Sequence, residues 1–89
     1  MPDLYEDWAI EWRDRLAQLR VETLLRLVGH SRSLADYERA IELARQLLTL
    51  DPANEAAHQH IMVCYEAQGD RAAALRQYES CVEALKSLV

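Results

Sequence analysis

One motif occurs twice in this chain, and its spacing constrains the fold more than any other feature. Ala35-Asp36-Tyr37-Glu38-Arg39-Ala40-Ile41 and Gly69-Asp70-Arg71-Ala72-Ala73-Ala74-Leu75 lie 34 residues apart, with Leu50-Asp51-Pro52-Ala53-Asn54 between them. A period of this length marks a helical unit that buries its apolar face only by stacking on a copy of itself. The 89 residues therefore read as a single domain: repeat one over about 21–54, repeat two over 55–88, and a helical extension from about residue 6. Only about 60–65% of the unfolded surface is buried at this length, so stability is modest.

Periodicity predicts about four helices and no strands. The first runs from Asp7 to about Val28, where Trp8, Trp12, Leu16, Leu19, Thr23, Leu24 and Leu27 recur at three- and four-residue steps. Gly29-His30-Ser31-Arg32-Ser33 weakens helix propensity and reads as a frayed end or loop. The second helix spans about Tyr37 to Thr49, capped by Asp36 and ended by Asp51-Pro52, with Tyr37, Ala40, Ile41, Ala44, Leu47 and Leu48 on its buried stripe. The third spans about Asn54 to Gln68, with Ala57, His58, Ile61, Met62 and Tyr65 on one face. Gly69 closes it through a positive backbone angle, and Asp70 caps the fourth. That last helix, Arg71 to about Leu88, carries Ala74, Leu75, Tyr78, Cys81, Val82 and Leu85 at helical spacing.

Ile61, Tyr65, Gly69, Asp70, Ala74, Tyr78 and Cys81 resemble, in register, the tetratricopeptide pattern of apolar, aromatic, Gly-Asp turn, small, aromatic and small residues. Two antiparallel helices approach closely where Ala74 and Cys81 are small, while Tyr65 and Tyr78 fill the wedge toward the neighbouring repeat. In the first copy Leu24, Leu27, Val28, Ala40 and Pro52 match, with Ala44 and Leu47 on the packing stripe. Ala35 stands where the turn glycine is usual, and Ser31 where an aromatic is usual. The resemblance implies an all-α, right-handed stack of antiparallel helical hairpins. First helices line the concave face of such stacks, which marks Leu25, Arg26, Gly29, Arg32, Gln59, Val63 and Glu66 as a partner-binding groove. Peptide-binding relatives hold a terminal carboxylate with Lys and Asn, and Gln59 and Val63 stand at those places instead.

A closer resemblance covers almost the whole chain. Leu4-Tyr5-Glu6-Asp7-Trp8-Ala9, Glu11-Trp12-Arg13-Asp14-Arg15-Leu16, the Asp51-Pro52-Ala53-Asn54-Glu55-Ala56-Ala57-His58 stretch and Ala74-Leu75-Arg76-Gln77-Tyr78 are similar to the bacterial transcriptional activator domain. That family is a variant tetratricopeptide domain of antibiotic-pathway regulators and larger ATPase-linked activators. It usually follows a winged-helix DNA-binding domain, which this chain lacks, so the chain corresponds to an excised middle domain or a short relative. What the resemblance implies is a regulatory protein-interaction module that mediates oligomerisation or relays signals between domains without binding DNA itself; composition and the absence of a signal or membrane-spanning stretch lead us to expect it in the cytoplasm. Its partners are proteins: a second copy in a homodimer, neighbouring domains of a full-length regulator, or the transcription machinery. Two other readings are a generic tetratricopeptide adaptor taking an extended peptide in its groove, and a small structural homo-oligomer. In the last of these, the uncapped end Leu85-Lys86-Ser87-Leu88-Val89 pairs with another chain.

Composition removes several other classes. A net charge of −5 argues against gripping phosphate backbones, which needs clustered Lys and Arg. No apolar stretch reaches the roughly 20 residues of a membrane span. Cys64 and Cys81 are not a C-x-x-C pair and read as buried thiols. His60 and Cys64, four apart and near His58, lack the further ligands a tetrahedral metal site needs, so no metal or cofactor is expected. His58 instead fills a packing slot that Trp often occupies in the repeat, and His60 lies in the groove or on the surface. Ser31 and Ser33 beside His30 have no base-orienting acid or oxyanion device, and no Gly-rich phosphate loop is present, so the chain is not read as an enzyme. Trp8 and Trp12, on the stripe with Leu16 and Leu19, are expected in the core; their other use is to dock a preceding domain. The acidic run Asp3, Glu6, Asp7 and Glu11 reads as a solvated helix start favoured by the macrodipole.

Overall fold

The computed structural model describes the backbone of residues 4–89 and side chains from residue 6 onward. Asp3 therefore lies outside the described residues, as do the side chains of Leu4 and Tyr5. Four helices follow in order: α1 (Leu4–Ser33), α2 (Tyr37–Leu50), α3 (Glu55–Ala67) and α4 (Arg71–Lys86), with no strand among the described residues. Each packs on its successor, and α1 also reaches α3. The protein is all-α, two hairpins stacked as in a tetratricopeptide-like domain.

Asp36, Asn54 and Asp70 cap α2, α3 and α4, their side chains accepting bonds from the backbone N–H of Arg39, Ala57 and Ala73. The two hairpin turns are the same turn. At the first, Ala35 N–H donates to the Arg32 carbonyl at 2.9 Å and Asp36 N–H to the Ser31 carbonyl at 2.9 Å. At the second, 34 residues on, Gly69 N–H donates to Glu66 at 2.9 Å and Asp70 N–H to Tyr65 at 2.8 Å. Gly69 has φ +79° and Ala35 has φ +58°, so the first turn is built without its glycine, and an alanine holds the left-handed conformation.

Residues 29–33 are helix, not a frayed end or loop. Val28 is fully buried and Ser31 nearly so, and burial of that face outweighs the weak propensity of one glycine and two serines. The Ser33 hydroxyl donates to the His30 carbonyl at 2.6 Å within the last turn.

The core joins Val28 of α1, Ala40, Leu43, Ala44 and Leu47 of α2, and Ala57, Ile61 and Cys64 of α3. Val21, Leu24, Leu25, Tyr37, Ile41, Leu48 and Tyr65 pack around it. The alanines let the helices approach closely, while Leu47 and Ile61 fill the volume between them. In α4, Ala73, Ala74 and Gln77 are buried, and Cys81 is half-buried. His58 supplies the polar fastening. Pro52 O can only accept, so His58 Nε2–H donates to it at 2.9 Å; Nδ1 then accepts from Gln77 Nε2 at 2.7 Å. One buried ring thus ties the α2–α3 connection to α4. Arg45 donates to the Tyr65 hydroxyl at 2.7 Å, linking α2 to α3.

Several expected packing residues lie elsewhere. Leu27 is 44% and Tyr78 55% exposed, and Pro52 is exposed at its turn. Leu27 sits about 100° around the helix from Val28, which takes the core position instead. Tyr78 and Leu75 face the open end of the stack, where no further helix covers them among the described residues.

Candidate functional site

The face of α1 that holds the domain together is not the face the tryptophans define. Val21, Leu24, Leu25, Val28 and Ser31 follow one line at three- and four-residue steps and meet α2 and α3. At about 100° per residue, Trp8, Trp12, Leu16 and Leu19 fall on a second line, on the far side of the helix from Val28. They were expected in the core; they are instead 62%, 51%, 44% and 51% exposed. The sequence carries two apolar stripes on one helix, and only the later one is used for folding.

Length explains why. A helix of 30 residues is about 45 Å long, roughly twice the length of α2. Antiparallel to α1, α2 ends where Gln46 and Thr49 meet Leu16, Leu19, Arg20, Thr23 and Leu24 around a groove of about 550 Å³. Before that level α1 projects alone. Every residue from Glu11 to Arg20 is exposed. On this projection the Trp8 and Trp12 rings stack, centroids 6.1 Å apart and planes within 3°. Glu11 and Arg15 border the pair in a shallow concavity of about 100 Å³.

The expected groove residues are distributed differently. Leu25 packs against the core rather than facing a partner. Arg26, Gln59, Val63 and Glu66 are exposed, and Gly29 and Arg32 half-buried. Arg32 is occupied: its guanidinium donates to His60 Nδ1 at 3.0 Å across the α1–α3 face. Burial, and then the Arg32 charge, push His60 below its ordinary value of 6.5. The neutral ring is thus the form this contact holds.

At the opposite end of the stack Met62, Glu66, Gly69, Arg71, Ala74, Leu75 and Tyr78 line an open basin of about 640 Å³. Its wall is Leu75 and Tyr78, the exposed apolar pair of α4.

Chemistry finds little to use. Burial raises the Cys64 thiol, partly offset by Arg32, and burial with the Glu55 charge raises Cys81; both are free. Thiols held protonated in this way are poor nucleophiles and poor metal ligands. Among the described residues no group of three or more His, Cys, Asp and Glu side chains is placed to hold a metal. No helix among them is long and apolar enough to cross a membrane.

The surface that stands out is therefore apolar, helical and uncovered. A family model, bacterial transcriptional activator domain, matches residues 1–88. No curated protein and no solved structure gives a significant match.

Proposed function

This chain belongs to the bacterial transcriptional activator domain family, and from that premise we propose that it is a protein-interaction module of a transcriptional regulator. In this reading it joins its regulator to itself or to neighbouring domains and makes no DNA contact of its own. The observation that carries it is the first half of α1, where Trp8 and Trp12 project beyond α2 and, with Leu16 and Leu19, remain open to water outside the core. Large apolar patches on small folded units mark surfaces that another protein covers. Tryptophan is the residue type most enriched at the energetic centres of such surfaces. The net charge of −5 supports the same reading, because a promoter's phosphates would be repelled rather than gathered.

Trp8 and Trp12 are the two tryptophans of the chain, which makes them reporters of this face. Emission from the dilute chain is expected to be that of water-exposed indole, and to shift to the blue when a neighbouring domain of a parent regulator is added. Addition of duplex DNA at physiological salt leaves emission and anisotropy unchanged. A saturable response to DNA refutes the reading.

A further inference from the structure

The projecting half of α1 carries its own complement. Glu6, Asp7 and Glu11 lie toward its start; Arg13, Arg15 and Arg20 lie toward its base, with Asp14 the one acid among them. We propose that the same segment of a second copy covers this face, the two helices running antiparallel along Trp8, Trp12, Leu16 and Leu19. This rests on the interaction-module reading above and names the partner.

Direction follows from the charges. A parallel pair sets Glu6, Asp7 and Glu11 against themselves and the arginines against themselves. An antiparallel pair, turned about a two-fold axis near the middle of the segment, sets each acidic half beside the other copy's basic half. In the register where Trp12 meets Leu16 of the second copy and Trp8 meets its Leu19, Glu11 falls opposite Arg15 of the second copy. Symmetry forms that pair twice, and Glu6 and Asp7 come level with Arg20 in the same way. Glu11 and Arg15 already edge the concavity around the stacked tryptophans. Among the described residues the ion pairs are Arg39–Glu42 and Lys86–Glu83, so neither Glu11 nor Arg15 is paired with another of them.

The area is sufficient for a weak, specific dimer. Two tryptophans of roughly 250 Å² each, more than half exposed, and two leucines nearly as open offer on the order of 400 Å² of apolar surface per copy; the stems of the flanking charged residues extend this toward the ~800 Å² per partner of an ordinary interface.

Sedimentation equilibrium of the full chain, from low micromolar to near-millimolar concentration, tests the proposal. A monomer–dimer equilibrium is expected. Trp12→Glu abolishes it, Glu11→Arg weakens it by roughly tenfold through two lost pairs and two like-charge contacts, and the double variant Glu11→Arg/Arg15→Glu restores it. All these positions are exposed, so circular dichroism shows unchanged helix content in each variant. A strict monomer at the highest concentration overturns the proposal, as does association indifferent to both Trp12→Glu and Glu11→Arg. Association strengthened by Glu11→Arg means that Glu11 does not meet Arg15 of the second copy, and overturns it equally. A strict monomer whose tryptophan emission still shifts on meeting a neighbouring domain sinks the pairing alone; DNA binding sinks the interaction-module reading.

Discussion

Replacing Ala35 by glycine stabilises this domain, although a glycine normally weakens whatever it enters. Ala35 holds φ +58° at a turn whose hydrogen bonds repeat those around Gly69. An L-residue in the left-handed region is strained by about 1–2 kcal/mol. Glycine removes that strain but gives the unfolded chain more freedom, which offsets about 0.4–1 kcal/mol. Ala35 is exposed, so its methyl takes no packing with it. The net gain is about 0.5–1 kcal/mol, and since a domain of this size shifts by about 4–8 °C per kcal/mol, Tm rises by roughly 2–8 °C. Gly69→Ala is the mirror experiment. A Cβ there meets nothing within 4 Å, so only backbone strain is added, and stability falls by about the same amount. Urea and thermal unfolding followed by circular dichroism measure both variants. Loss of stability in Ala35→Gly as large as in Gly69→Ala refutes the equivalence of the two turns.

Three further outcomes test the core and the α1–α3 contact. Leu47 is fully buried, so Leu47→Ala is expected to lower unfolding free energy by about 2–5 kcal/mol, a large part of the stability of a domain this small; a change below the lower bound, read by urea denaturation, contradicts its central place. Gln77→Ala deprives buried His58 Nδ1 of its partner and is expected to cost about 1–3 kcal/mol in the same assay. The sign of the pH dependence follows from His60, which is held below its ordinary 6.5 in the fold: the unfolded chain binds the proton more readily, so this contribution to stability is full above the ordinary histidine range and declines as pH falls from 6.5 toward the depressed value. His60→Gln, which still accepts from Arg32, is expected to flatten that decline above the carboxylate range; an unchanged slope assigns it to another group.

Much of the architecture was legible in the sequence, because the signals that specify it are local. Asp36 and Asp70 are caps by chemistry, Pro52 stops α2, and Gly69 supplies a left-handed turn; Asn54, read as the first residue of α3, is instead its cap. The errors fall where a local signal competed with packing. Gly29 and the two serines argued for a loop, but Val28 and Ser31 are held by the core, and tertiary burial decided the end of α1. The tryptophan stripe misled for a different reason. Periodicity identifies a face without saying what covers it, and Trp8, Trp12, Leu16 and Leu19 have as regular a spacing as Val21, Leu24, Val28 and Ser31. A signal was nonetheless present: an antiparallel partner of α2's length reaches only to the level of Leu16 and Leu19, so the Trp8 and Trp12 end of the stripe cannot pack on α2. The His58–Gln77 bond and the Arg32–His60 contact cross 19 and 28 residues, and nothing local encodes them.

In the proposed reading one helix does two jobs: its second half builds the core, and its first half, exposed in the fold, receives another protein. Amide hydrogen exchange along α1 measures this directly. In dilute solution, amides after about residue 20 are expected to exchange as slowly as those of α2 and α3, while residues 6–18 exchange near the rate of an unsupported helix; when a second copy or a neighbouring domain covers the tryptophan stripe, only the first half slows. Equal protection of both halves in the dilute monomer would mean that the tryptophan face is already packed within the domain, and would contradict the account.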